Sequence, residues 1–544
     1  MLIRVKKMWQ NKKYLYLILI ILSFLVYANS FNNAFVSDDI DGIVKNPLIS
    51  HPLYFWLSPS NLLDSLIYLI AGNNPFPYHL TSIILHSIAT IFVFFFLRLF
   101  FNTESSFLGA SLFAVHPIHT EAVTWVAGRP YIITALFILG TYFLYNSAVD
   151  AKNTSKKFKP LPYLICLVFF SYYITRNFSF YSFFPFLLIL SDVTFKRWRK
   201  NWKWWLPFFA IVLLRMFLAR SIISGRITSV AKEVGMMGSL WTNPVYNMTY
   251  SIFTHLGLVI WPAKLTLYHE PPVITRFALN AELIILAILA LALPFIFKKA
   301  RPLFFAIALF VIFLAPTYSP VMVSWLVAER YLYFPSIAFS IFAAFFYERI
   351  YKTRILTNQK PNSHESIREN LCVIRVHSCY GNLILAVVIF IIAAYGVRTV
   401  ARNEDWKRPE RFWRETALVS FLSPRAHNNM GDIYYQEGNI GGAIREFKKA
   451  IELKSNYADA YYNLANVYHR IGNLQEAIKF YQSAISYKPE LFEAHFNLGL
   501  IYLNNTNQVG LAVEHFKQAV VIRPDDVNAR AALNIAIEKQ KRNY

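Results

Sequence analysis

Residues 14–47 read YLYLILIILSFLVYANSFNNAFVSDDIDGIVKNP, an apolar run that opens onto an acidic doublet, Asp38 and Asp39. A helix crosses the hydrocarbon core of a bilayer with about 20 apolar residues, fewer when aromatic or small residues extend it into the interface. The run therefore predicts a transmembrane helix over 14–30, and the doublet falls just beyond its end, at the level of lipid headgroups. Arg4, Lys6, Lys7, Lys12 and Lys13 give the run a basic flank, but it is long and no small-residue cleavage site follows cleanly, so the span is expected to be retained.

Comparable runs recur at 80–100, 105–116, 130–148, 161–175, 178–194, 205–221, 281–297, 302–316, 331–347 and 382–397, which makes eleven predicted crossings and none after residue 397. The composition agrees: 56% of the 544 residues are hydrophobic and only 16% charged, too apolar for an ordinary soluble or disordered chain. Lysine and arginine number 54 against 31 acidic residues, but the basic groups sit between apolar runs, as in cytoplasmic loops, so no nucleic-acid partner is expected. Three cysteines, Cys166, Cys372 and Cys379, supply neither a disulfide framework nor a multi-cysteine metal cluster. Lysine and arginine resist translocation, and alternating crossings put the loops at 152–159, 196–203 and 298–301 on one side with the N-terminus. That side is expected to be the cytoplasm and the tail extracytoplasmic, and the chain's lysine, asparagine and isoleucine usage points to a bacterial inner membrane. Segment 246–263 is assigned to the outer interface or to a re-entrant helix.

Beyond 397 the pattern is that of a soluble repeat. Asn429, Asn463 and Asn497 are 34 residues apart, as are Tyr434, Tyr468 and Tyr502, while Gly431, Ala465 and Gly499 keep the same step. The segments NNMGDIYYQEGNIGGAIREF (428–447), YNLANVYHRIGNLQEAIKFY (462–481) and FNLGLIYLNNTNQVGLAVEHF (496–516) resemble tetratricopeptide repeats, with one residue inserted in the third so that Ala443, Ala477 and Ala512 still correspond. The expected organisation is a membrane domain over 1–397, a connecting helix and partial repeat over 398–424, and an α-solenoid over 425–544 with a closing helix. Such an array binds an extended or helical peptide and carries no chemistry of its own.

Polar residues gather in the loops predicted to face outward. Asp38 and Asp39 in FVSDDIDGIVKNP (35–47) are the catalytic candidates: adjacent carboxylates there can deprotonate a hydroxyl, bind a divalent cation, or cap the segment that follows. HPIHTEAVTWVAGR (116–129) places His116, His119, Glu121 and Arg129 within fourteen residues. This is not the HExxH spacing of a zinc helix, and a proline-broken turn satisfied internally is the competing reading; the Arg129 guanidinium matches a phosphate in shape and charge. SWLVAERYLYFPS (324–336) puts Glu329 and Arg330 at the opening of an apolar helix, with a local ion pair as the alternative. Arg176, and His269 with Glu270, fall on the same predicted face, whereas His79 and His86 share one side of a helix and read as packing.

The motifs FVSDDIDGIVKNP, NPFPYHLTSIILHS (74–87), HPIHTEAVTWVAGR and VAERYLYFPS (327–336), followed by RNEDWKRPERFWRETA (402–417) and the repeats, resemble the transmembrane and tetratricopeptide-repeat protein family along nearly the whole chain. The resemblance implies an all-α, polytopic GT-C glycosyltransferase domain related to protein O-mannosyltransferases, followed by the solenoid. It implies a polyprenyl-phosphate sugar donor, mannose by analogy, a protein or peptide acceptor held by the repeats, and membrane lipid as surroundings; no cofactor is required by the sequence, and a divalent cation is compatible with it. Under this resemblance Asp39, or Asp38, takes the proton of a serine or threonine hydroxyl in one inverting displacement. Arg129 and Arg330 steady the departing phosphate, and His116, His119, Glu121, Arg176 and Glu329 complete the substrate-binding set. Two departures mark this chain: NLLDSLIYLIAGNNPF (61–76) lacks the tyrosine-arginine-proline element of relatives, and Thr175, Arg176 and Asn177 stand where relatives carry a lysine-glutamate pair. The alternatives are a noncatalytic membrane-anchored assembly factor and a GT-C transferase acting on an envelope lipid or polysaccharide.

Overall fold

The computed structural model describes residues 12–51, 58–149, 159–221, 224–225, 244–269, 276–318, 325–357 and 385–542, and no strand occurs among them. Lys152, Lys156, Lys157, Cys372, Cys379, Glu270 and the loop at 358–384 lie outside the described residues. Two compact units emerge, one comprising Met1–Leu267 with Pro271–Arg408, the other Tyr268–Glu270 with Pro409–Tyr544. Their division falls inside the segment read from sequence as a connector.

In the first unit, six helices are long and apolar enough to cross a membrane: Lys13–Ser30, Pro75–Leu97, Val126–Val149, Arg276–Lys299, Arg301–Tyr318 and Leu385–Trp406. Pro160–Ile174 and Phe178–Thr194 are shorter apolar helices. The Arg276–Lys299 helix carries the plainest physical argument for a bilayer, since no residue in its apolar window is buried and Phe277 and Leu291 are more than four-fifths exposed. In water this would be a large unpartnered apolar surface; in hydrocarbon it costs nothing. The chain is a multi-pass membrane protein.

Three expected crossings take a different form or start. The run at 105–116 is the helix Thr103–Val115, started by Asn102, whose side chain accepts from Ser105 N. Its thirteen residues span roughly 20 Å against a hydrocarbon core of about 30 Å, and Ser105 through Val115 are all buried, so it is an inner helix sheathed by its neighbours. The run at 205–221 belongs to the helix Trp198–Leu218. The run at 331–347 begins late: Glu329–Leu332 forms a 3-10 turn, and the helix Ile337–Thr357 starts only beyond Pro335, which has no N–H to donate. Glu329 and Arg330 therefore stand on a turn ahead of the helix and do not open it.

The second unit stacks helix pairs. Gly438 and Gly472 adopt left-handed φ of 78° and 77°, turning the chain so that Asn439 and Asn473 cap the next helices by accepting from Gly442 N and Glu476 N. The third repeat, with its extra residue, makes the same turn with Asn507 at φ 55°. A Cβ on Gly431 would come within 2.7 Å of the Phe447 ring, and one on Gly499 within 2.7 Å of Phe516, which is why these positions stay small. Ala465 holds the equivalent place in the second repeat, and it and the alanines Ala443, Ala477 and Ala512 are fully buried.

Candidate active site

The acidic doublet divides. Ser37 takes a left-handed φ of 52°, and the turn it makes leaves Asp38 exposed, accepting from the Ser37 hydroxyl at 3.3 Å, while Asp39 is buried. Asp39 Oδ2 accepts from Val36 N at 3.3 Å, and Oδ1 reaches across to Ala127 N at 2.7 Å. Trp125 Nε1 donates to Val36 O at 3.3 Å, so the doublet's loop is laced to 125–127, the end of the second predicted outer loop. Burial pushes the Asp39 carboxyl up to about 7, against the opposing pull of the Ala127 and Val36 N–H groups and the Arg129 charge.

Arg129 is completely buried and fully engaged: it pairs with Asp64, Nε donates to Ser82 Oγ at 3.2 Å, and Nη2 to Tyr78 O at 2.9 Å. The guanidinium also lies 5.9 Å from the Tyr78 ring centroid. It is thus the hub that joins the 59–71 helix, the Pro75–Leu97 helix and the 116–129 loop. Just before it, a Cβ on Gly128 would stand 2.3 Å from the Glu121 carbonyl oxygen and 3.0 Å from Ala122 Cα. Backbone cannot give as a flexible side chain can, so Gly128→Ala is expected to displace the segment carrying both Ala127 N and Glu121. A thermal-unfolding midpoint and activity unchanged from the parent would refute this.

Glu121 and Arg330 meet in a second buried pair, in which Glu121 Oε2 also accepts from Arg330 N at 2.8 Å. The Arg330 guanidinium packs 5.6 Å from the Trp125 ring and 5.1 Å from the Tyr331 ring, and it keeps 8% exposure where Arg129 has none. Glu329, beside it in sequence, turns to a different partner, Arg402, at 3.5 Å; Arg402 in turn pairs with Asp405 at 3.0 Å. Glu329 and Arg330 therefore bridge two separate segments.

The histidines are buried connectors. His116 Nδ1 accepts from Ile118 N at 3.1 Å, leaving Nε2 to donate to Val259 O at 2.9 Å, and His119 bridges Phe113 O at 3.0 Å and the Ser336 hydroxyl at 2.8 Å. The segment 246–263, assigned from sequence to the outer interface or to a re-entrant helix, contains most of the helix Pro244–Ile260, which is held to the site's loop by that Val259 contact. Arg176 is exposed, with Nη1 donating to Thr175 Oγ1 at 2.5 Å and its guanidinium over the Tyr172 ring; none of its described contacts is to the doublet or to Arg129. Among the described residues no three His, Cys, Asp or Glu side chains are grouped as a metal would need.

Sequence reading gave no role at the site to Asp64 or to 402–407, the latter quoted only as part of a family motif. Asn403 Nδ2 donates to Val26 O and to Asn29 Oδ1, both at 2.8 Å, Asn403 Oδ1 accepts from Thr124 Oγ1 at 2.9 Å, and Ala34 N donates to Lys407 O at 3.1 Å. The available signals were a lone carboxylate in an otherwise apolar stretch, DSLIYLI (64–70), and the mixed charges of RNEDWKR (402–408).

Fold and site together define a multi-pass helical membrane protein with a buried ionic frame and a tetratricopeptide tail. Family models described as TPR repeat and Tetratricopeptide repeat match residues 431–472, 458–491 and 492–526. Across 80% of its length this chain is 23% identical to the human Protein O-mannosyl-transferase TMTC3, covering 51% of that protein. It is 24% identical to Protein O-mannosyl-transferase F38B6.6 of Caenorhabditis elegans over 81% of this chain and 63% of that one, and 25% identical to human TMTC4 over 77% and 64%. The chain is thus related along most of its length to the transmembrane and tetratricopeptide-repeat proteins, while spanning about half the length of the first of them. Of solved structures, one titled "Crystal structure of MamA protein" aligns with 24% of this chain and 72% of its own at 25% identity and a TM-score of 0.23.

Proposed function

We propose that the chain is a membrane glycosyltransferase of GT-C type. It moves mannose from a polyprenyl-phosphate donor to serine or threonine hydroxyls of a protein on the extracytoplasmic side, where the tetratricopeptide tail binds the acceptor. The observation that supports this most is the lacing of the acidic doublet, through Asp39 and Ala127, to the segment bearing Glu121 and Arg129. The names of the relatives point the same way.

In this reading Asp38, the exposed member of the doublet, takes the acceptor's proton as the hydroxyl oxygen attacks the anomeric carbon. The bond to phosphate breaks, configuration inverts, and the electron pair leaves with the polyprenyl phosphate, a good enough leaving group to need no strong general acid. Arg330, with residual exposure, steadies the departing phosphate while Glu121 orients it. Asp39 and Arg129 are positioning residues that fix the loop, His116, His119 and Glu329 hold the elements together, and Arg176 is an outer contact for donor or acceptor. The donor's lipid tail stays in the bilayer, so no nucleotide-binding motif is needed.

The test is incubation of the purified chain with polyprenyl-phosphate mannose or glucose and a peptide library, read by mass spectrometry. Hexose on serine or threonine is expected; label appearing only on an added polysaccharide would move the reaction to an envelope glycan, and no label anywhere would leave a docking protein. A pH profile tests Asp39. Its folded-state carboxyl titrates near 7, and the two N–H bonds it accepts call for the ionised form, so transfer is expected to rise as pH increases through about 7. That limb should disappear in Asp39→Asn; a profile unchanged by the substitution would remove Asp39 from the positioning role.

A further inference from the structure

The helix Trp198–Leu218 begins WRKNWKWW, with no acidic residue in its first turn. Lys196, Arg199, Lys200 and Lys203 are all exposed and have no carboxylate partner among the described residues, whereas Arg197 between them is paired with buried Asp192 at 3.0 Å. Four cations without a carboxylate partner repel one another, and Lys196, Arg199 and Lys200, at the start of the helix, also oppose its dipole, so together they call for an external anion.

The shape of the surface says which anion. Arg199, Lys203, Leu206, Ala210, Leu213 and Phe217 follow alternating steps of four and three residues, which places them in one stripe, and every one is exposed. The stripe is cationic for its first turn and apolar for the rest, with exposed Trp198 and Trp202 beside the transition. A free phosphate needs only the upper part and an acyl chain only the lower; a glycerophospholipid with a negative headgroup fits both. The upper end is also rigidly built. Asp192 Oδ2 accepts from Trp205 Nε1 at 2.9 Å and Tyr145 OH at 2.8 Å, Tyr163 OH donates to Trp204 O at 2.8 Å, and Lys196 sits in a left-handed turn of φ 59° that sets the helix's entry. We propose that this stripe is a binding site for an anionic glycerophospholipid, its phosphate held by Arg199 and Lys203 with Lys196 and Lys200 flanking, and its chains lying along Leu206 to Phe217.

The full chain in detergent is melted with dioleoyl phosphatidylglycerol, with dioleoyl phosphatidylcholine, and with inorganic phosphate. Phosphatidylglycerol is expected to raise the midpoint more than phosphatidylcholine, by an amount that shrinks with added salt, and inorganic phosphate is expected not to reproduce it. In the variant Lys196→Gln, Arg199→Gln, Lys200→Gln, Lys203→Gln the apparent affinity for phosphatidylglycerol should fall roughly ten-fold or more, from the strength of individual basic contacts to an anionic surface. A variant that keeps the full preference, or a parent equally stabilised by inorganic phosphate, overturns the proposal. Should the variant not fold, Trp198→Phe with Trp202→Phe keeps the cations. Brominated phosphatidylglycerol is expected to quench the parent's tryptophan fluorescence more than brominated phosphatidylcholine, and this excess to fall in the double variant; equal quenching of the parent by both lipids also overturns it.

Discussion

Asp38→Asn is expected to reduce sugar transfer by roughly 10²–10⁴-fold, the range over which a positioned general base acts, while leaving the thermal midpoint and donor binding near parental values. The asymmetry of the doublet is the reason. Asp38 is exposed and its neighbour Ser37 supplies its one described hydrogen bond, so losing its charge disturbs little else. Asp39 holds two backbone N–H groups from different loops, so Asp39→Asn is expected to weaken both folding and activity and to change the pH profile. If Asp38→Asn retains transfer and Asp39→Asn loses it with stability intact, the roles are exchanged and a substrate must reach the buried carboxylate.

Arg129→Met is expected to cost about 3–5 kcal/mol of stability, because it strands Asp64 where solvent reaches poorly. Asp64→Leu should cost a similar amount by leaving a wholly buried guanidinium without its counter-ion. Combined, the two substitutions replace a buried ion pair by apolar groups and should recover most of the loss, although Ser82 Oγ and Tyr78 O forfeit their donor. Donor affinity separates the two possible duties of Arg129. A double variant with restored stability and parental donor affinity places it in the frame; restored stability with donor affinity lost returns it to the phosphate.

Much of this was readable in advance, for identifiable reasons. Membrane helices announce themselves because lipid demands long apolar runs, and the repeats announce themselves because each pair must reuse the same small residues at 34-residue intervals. The inner helix Thr103–Val115 was read as a crossing because a helix buried in protein and one buried in lipid have the same composition. Ion-pair partners were the least legible part. Glu329 and Arg330 are adjacent, yet each pairs with a residue far away in sequence, and no periodicity encodes that choice. Asp64 is a lone acid in an apolar stretch with no partner near it in sequence, and its role exists only once Arg129 has been folded against it.

Asn403 clasps the first apolar helix and the 116–129 loop from six residues beyond the end of the last predicted run. A piece cut where hydropathy ends would therefore lose the clasp and leave Val26 O and Thr124 without their partner. In any exchange of tails between such proteins, the residues just upstream of Pro409 must therefore travel with the membrane part.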